Sequence, residues 1–235
     1  SSDLGSNTIT YSKQYTVKQT PTASSDGGVY ILNSLFKSCI STDNGGALFC
    51  NATVYLLVES TSFFSCKINS SYGGAIYFYN IINGQCALNR VCGHDCGSTN
   101  SNSWGQFAHI QVNNSASSKI FIEYSSIART LSDYSWANRV LSLENGKNFC
   151  KSINCSMNIC TNLAAISCRP FCDPSSVTCL LSYSSFTDNN STGYTCIRFY
   201  MHNATYEIKC CNILRNIQNL SSYGTLKVFG NTVIK

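Results

Sequence analysis

Charge is what this 235-residue chain has least of: 11% of its residues are Asp, Glu, Lys or Arg, and only eleven are acids. No two acids are adjacent or two apart. Chemistry that needs paired carboxylates, as general acid and base or as calcium ligands, therefore has no seat in the pattern, and no catalytic residues are assigned. The sixteen basic residues are scattered singly and the net charge is +5. That distribution excludes a phosphate-tracking patch, so nucleic acid is not an expected partner. Proline occurs three times. No apolar run approaches the roughly 18 residues of a spanning helix, so no membrane span is expected in this segment. Gly-x-Ser-x-Gly, phosphate-loop, His-Glu-x-x-His and dinucleotide fingerprints are absent. The opening SSDLGSNTIT has no charged and apolar signal region, which leads to the expectation of a mature chain or a fragment.

What is abundant is cysteine, with fifteen residues, and Asn-x-Ser/Thr sequons, with eight: Asn51, Asn69, Asn113, Asn154, Asn189, Asn190, Asn203 and Asn219. Free thiols in such number do not suit a reducing cytosol. Together with the sequons they point to an extracellular or cell-surface glycoprotein that has passed through an oxidising, glycosylating secretory route.

A repeat orders the chain. Its slots are apolar-x-apolar, four residues, an apolar anchor, two residues, then Cys or Asn. Leu56, Val58, Phe63 and Cys66 fill them once, and Val29, Ile31, Phe36 and Cys39 one unit earlier. Ile120, Ile122 and Ile127 carry a further copy, as do Cys179, Leu181, Phe186 and Asn189, and Tyr206, Ile208, Ile213 and Asn216. Weaker copies centre on Val91, preceded by Cys86, and on Met157, preceded by Cys150 and followed by Cys160. Successive anchors at 36, 63, 91, 127, 157, 186 and 213 lie 27 to 36 residues apart. A small residue and a second alternating segment follow each anchor: Gly45-Gly46 before Leu48 and Cys50, Gly73-Gly74 before Ile76 and Phe78, Gly224 before Leu226 and Val228. Gly105, Ala137, Ala164 and Thr195 fill the small slot less cleanly. Period-two alternation twice per unit excludes a helical repeat.

The pattern predicts an all-β, disulfide-rich fold: a right-handed parallel β-helix of about seven coils over residues 25–235, with residues 1–24 as an N-terminal cap segment holding no copy of the repeat. An all-β sandwich competes, but does not require identical slots every 27 to 30 residues. Inward positions should stack between coils, with Phe36 over Phe63. The last unit ends without closing, which leads to the expectation that the coil continues in a longer chain or self-associates into an array or filament.

The GGAL at 45–48, the GGAI at 73–76 and the FTDN at 186–189, with FKSC and FFSC at the other Phe anchors, resemble the GGA[ILV] and F-x-x-N motifs of the polymorphic outer-membrane-protein type of β-helix repeat. That family is known from bacteria and expanded among surface proteins of trichomonad-like protozoa. The resemblance covers roughly residues 27–230, and the cysteine and sequon load favours a protozoan surface protein. It implies a surface or adhesive scaffold, and it carries over no catalytic residues.

Candidate sites follow from the slots. Cys39 and Cys66 each fall three residues after an anchor, and Cys150 and Cys179 seven before one. At a coil spacing near 4.8 Å such pairs fall within disulfide reach, so at least one cross-coil bond is predicted. Cys86, Cys92 and Cys96 read as a disulfide-stapled excursion from the stack; with His94 they could also hold zinc, but oxidised thiols suit a secreted chain better, and no metal or cofactor is expected. His109 and His202 read as isolated, solvent-facing or locally satisfied. Trp104 and Trp136 could offer a sugar-stacking platform, although corner packing is the simpler reading. Most of the sequons should line two edges of the coil, leaving the faces between them for partners, which would be other copies, other surface proteins or glycans. A rigid structural or adhesive scaffold is the expected function. The alternative is a carbohydrate-binding or carbohydrate-active β-helix protein.

Overall fold

The computed structural model describes residues 8–21, 27–51, 53–69, 72–99, 103–130, 139–160, 163–191, 193 and 195–235. Those residues form a parallel β-helix, with no helix among them. The first sheet has nine parallel strands, from Ile9–Tyr11 through Gly28–Leu32 and Tyr55–Glu59 to Thr225–Phe229. The second, also of nine, runs from Gln14–Tyr15 through Leu35–Lys37 and Ser62–Phe64 to Val233–Ile234. The third has seven, from Leu48–Cys50 through Ile76–Tyr79, Ala108–Gln111, Arg139–Glu144, Leu163–Arg169 and Ile197–Phe199 to Leu220–Ser222. Seven coils thus give a strand to each of these three sheets, and one further coil at each end gives a strand to two; after the second sheet, short strands pair as Ile40–Ser41, Lys67–Ile68 and Gly97–Ser98, and as Ile159–Cys160 with Asn190–Ser191.

Alternation decides what is inside. Val29 pairs in register with Leu56, and Leu56 with Cys86, then Ile120; Ile31, Val58, Leu88, Ile122 and Cys150 form the parallel inward column. All nine are essentially unexposed. The anchors stack as expected: Tyr15 on Phe36 at 4.8 Å, Phe36 on Phe63 at 4.9 Å with ring planes 5° apart.

Two anchors differ from the expectation. Phe63 pairs with Gly93, not Val91, and Ile127 pairs with Cys155, not Met157. The slot can lack a side chain because Phe107 fills it from the third sheet: a Cβ on Gly93 would meet the Phe107 ring at 2.3 Å, and Phe107 meets Phe63 edge-on at 5.8 Å. Residues 85–98 are therefore ordinary strands of the stack and not an excursion. Likewise Leu226 and Val228 continue the first sheet, pairing with Tyr206 and Ile208, while the third-sheet strand of that unit is Leu220–Ser222. Of the N-terminal cap segment, the described residues are themselves coil-like, with Ile9 on Val29, Tyr15 on Phe36 and Gln19 bridged to Leu48.

The corners explain the small-residue motif. Gly45, Gly73 and Gly105 sit at φ near +70°, a conformation that costs a side-chain-bearing residue about 1–2 kcal/mol. The next glycines stack so closely that a Cβ on Gly46 would lie 2.0 Å from the Gly74 carbonyl. Ala137 and Trp136 lie outside the described residues.

Candidate functional site

Three residues after each anchor an inward column runs the length of the rod: Cys39, Cys66, Cys96, Thr130, Asn158, Asn189 and Asn216. The Cys66 thiol donates to the Phe36 carbonyl and the Cys96 thiol to the Phe63 carbonyl, both at 3.5 Å. The carboxamides do the same one step better. Asn158 Nδ2 donates to the Ile127 carbonyl and to Asn189 Oδ1, and Asn189 Nδ2 to the Cys155 carbonyl and Asn216 Oδ1, at 2.9–3.2 Å. Thr130 Oγ1 joins the end of this ladder through Asn158 Oδ1 at 2.8 Å. The ladder satisfies backbone carbonyls that the turn leaves buried, which is structural work.

This corrects one sequon. Asn189 is 1% exposed with both ends of its carboxamide bonded, so no sugar can be attached there in the folded chain. Asn51, Asn69, Asn154 and Asn203 are exposed, and Asn113, Asn190 and Asn219 half-buried. Asn51, Asn113 and Asn203 follow third-sheet strands; Asn69 and Asn190 lie on the short strands after the second sheet or just beyond them, and Asn219 precedes Leu220–Ser222.

One cysteine pairing is corrected as well. Twelve of the fifteen cysteines are buried, and no disulfide is drawn between any of them. Cys39 and Cys66 occupy equivalent positions on adjacent coils, and each thiol donates to the anchor carbonyl of the coil before, Cys39 to Tyr15 at 3.6 Å and Cys66 to Phe36 at 3.5 Å. Cys150 and Cys179 are out of register: Cys150 pairs with Leu181, and Cys179 with Asn148. The shift follows from Cys155 being the true anchor. Burial pushes the Cys150, Cys155 and Cys179 thiols up, Cys155 to about 12, so they behave as small core hydrophobes. Cys86 and Cys96 point inward while Cys92 is exposed and His94 lies against Phe64, so the four do not converge. Among the described residues no three His, Cys, Asp or Glu side chains converge to hold a metal.

The outward face of the third sheet is where chemistry gathers. Its strands alternate Leu48-Phe49-Cys50, Ile76-Tyr77-Phe78, Ala108-His109-Ile110 and Ile197-Arg198-Phe199, so the middle residues form one outward column with Ser142 and Ser167 between His109 and Arg198. The next outward column includes Tyr79, Gln111, Glu144 and Arg169, and continues to Tyr200 through the bond from its N–H to the Cys168 carbonyl. Rings run along it: Phe49 on Tyr77 at 5.3 Å, Tyr77 on His109 at 5.5 Å, Tyr72 against Trp104 at 5.7 Å. Trp104 therefore belongs to this band.

At the centre, Arg139 lies between Trp104 (4.3 Å) and Tyr200 (5.6 Å), with Nη1 donating to Ser142 Oγ and Glu144 Oε1 at 3.2 Å. Arg198 stacks on Tyr200 at 4.3 Å and donates to the Tyr223 hydroxyl at 2.6 Å. Burial lowers the Arg139 pKa, Glu144 and Tyr200 oppose that, and Arg198 and Arg169 lower it further. His109, expected to be solvent-facing or locally satisfied, is buried, 4% exposed, and its Nδ1 has no hydrogen-bond partner among the described residues. Burial, then Arg139, hold its pKa down at about 3, with Gln111 opposing through a hydrogen bond, so it is neutral at pH 7. His202 is exposed and packs on Tyr223 at 5.0 Å.

Fold and face together define a parallel β-helix with an aromatic and guanidinium-bearing sheet surface. Compared with protein-family models, curated proteins and solved structures, the chain matches none.

Proposed function

We propose that this chain is a rigid extracellular or cell-surface element, a structural and adhesive β-helix of the polymorphic outer-membrane-protein repeat type. The observation that carries it is the band on the third sheet: the rings of Phe49, Tyr77, His109, Tyr72 and Trp104 contact one another along it, and beyond Ser142 and Ser167 the Arg139 and Arg198 guanidiniums pack on Trp104, Tyr200 and Tyr223, beside edges where Asn51, Asn69 and Asn203 are open to solvent. A cross-coil ladder and a continuous core make a stiff rod, which suits presentation of a surface more than a conformational cycle. Glu144 is the one acid among the described residues of the band and is engaged by Arg139, so the proposal assigns no reaction. No helix among the described residues is long and apolar enough to cross a membrane.

The test is surface biotinylation of intact source cells, with a glycosidase-induced mass shift measured on the recovered protein. Labelling together with a shift supports the proposal; a protein that is protected from the reagent and carries no sugar contradicts it.

A further inference from the structure

We propose that the outward face of the first sheet is a self-association surface, on which a second copy of this chain lies antiparallel, related by a two-fold axis along the strands. The inference goes beyond the adhesive reading, which concerns the third sheet.

Three observations point to it. The first is an apolar stripe on the outside of the rod. Leu57, Ala87, Phe121, Phe149 and Leu180 follow one another in register on five successive coils, at the outward positions between the inward columns. Each keeps part of its surface in solvent, and the two rings stack at 5.4 Å. The charged residues Glu207 and Lys227 come only at the end of this column. A contiguous apolar strip of this kind on a sheet face marks an interaction site.

The second observation is charge, and it selects the occupant. The neighbouring outward column reads Glu59, Asn89, Glu123, Lys151, Ser182, Lys209. Turned end for end about a point between Glu123 and Lys151, it sets Glu123 against Lys151, Asn89 against Ser182 and Glu59 against Lys209 of the second copy, each contact occurring twice by symmetry. Among the described residues none of these four charges is in an ion pair within the chain. The bonds to the Glu59 carboxylate come from neutral groups, the Tyr30 hydroxyl at 2.7 Å and Asn89 Nδ2 at 3.1 Å. The same axis puts Phe121 on Phe149 and Ala87 on Leu180. A two-fold along the rod would instead set Lys151 against Lys147 and Glu207 against itself, so charge favours the antiparallel pair. Lys119 and Lys147, at the other edge of the face, are its one like-charged contact.

The third observation is where sugar can go. None of the eight sequons lies on a first-sheet strand, so the face itself carries no glycan. From Gly28–Leu32 to Thr225–Phe229, ordinary strand and residue spacings give a face of roughly 600 Å² per copy, about 1,200 Å² for the pair, at the lower end of specific interfaces.

The test is analytical ultracentrifugation of the intact protein across micromolar concentrations, where a dimer is expected. Glu123→Lys and Lys151→Glu are each expected to weaken it at least tenfold, because either change creates two like-charged contacts. Mixing the two variants is expected to restore the dimer as a heterodimer, in which both central contacts again join opposite charges. A folding defect could not be repaired by mixing. Lys147→Glu, which turns the like-charged contact into an attractive one, should tighten the dimer. Lys67→Glu, exposed on a short strand after the second sheet, should leave it unchanged. A monomer at every concentration up to millimolar, a dimer indifferent to both reversals, or a mixture that fails to restore it overturns the inference. A protein that is surface-labelled but monomeric keeps the scaffold proposal and loses the pair.

Discussion

Replacing Asn189 with Ala tests the ladder and the sequon correction together. The carboxamide accepts from the Asn158 main-chain N–H (3.2 Å) and Nδ2 (2.9 Å), and donates to the Cys155 carbonyl (2.9 Å) and Asn216 Oδ1 (3.1 Å). Alanine removes all four. A buried N–H left without its partner costs about 1–3 kcal/mol, and each exchanged hydrogen bond about 0.5–1.5 kcal/mol. The expected loss is about 4 kcal/mol. For a chain of this size each kcal/mol moves the melting point about 2–4 °C, so Asn189→Ala should melt about 8–16 °C lower. Asn189→Cys should lose roughly half as much, because a thiol in this column still donates to the anchor carbonyl, as Cys66 does to Phe36. Asn203→Ala, in an exposed turn, should stay within about 0.5 kcal/mol. Thermal unfolding followed by circular dichroism is the assay. A loss under 1 kcal/mol at Asn189, or a sugar attached to it in the folded protein, refutes the reasoning.

The remaining expectations are quicker to state. Gly93→Ala should destabilise by about 1–3 kcal/mol through its clash with Phe107, and Phe107→Ala should reduce the penalty in a double-mutant cycle; additive effects would contradict the packing. Peptide mapping after secretory expression should find sugar at Asn51, Asn69, Asn154 and Asn203 and none at Asn189; occupancy at Asn189 would reverse the assignment. Maleimide labelling of the native protein should modify Cys92 first and leave the twelve buried thiols untouched until denaturation. His109 is a base whose folded pKa, about 3, lies below its unfolded value of 6.5. Only the unfolded state takes up the proton between those values, so stability falls as pH drops from about 6.5 to about 3, by at most about 5 kcal/mol at 1.36 kcal/mol per unit. His109→Gln should flatten that slope; an unchanged slope would place the titration elsewhere.

The inward side of this fold was legible because it is periodic. Val29, Ile31, Phe36 and Cys39 meet their counterparts at 56, 58, 63 and 66 through one arithmetic shift, and the strands pair in that register. Legibility failed where the anchor lost its bulk: Gly93 has no side chain to detect, and Cys155 resembles its polar neighbours, so the apolar Val91 and Met157 drew the register two residues aside. That slip alone paired Cys150 with Cys179. Asn189 shows a different limit. F-x-x-N and Asn-x-Ser share the residue, and only its inward direction decides between a ladder and a sugar. The outward band was harder still, since Trp104, the Arg139 and Glu144 pair, and Tyr200 lie on three different coils separated by corners of unequal length. A signal existed in the residue between two inward positions of the second element, Phe49, Tyr77, His109 and Arg198, but reading it required the register first.

Hydroxyl-radical footprinting of the intact protein, free in solution and attached to the source-cell surface, tests most directly that the third-sheet band is the surface this molecule presents. Attachment is expected to lower oxidation at Trp104, Tyr77, Tyr200 and Tyr223 and to leave Tyr124 and Tyr183, both exposed away from the band, unchanged. Protection at Tyr124 and Tyr183, or at none of the six, would contradict it.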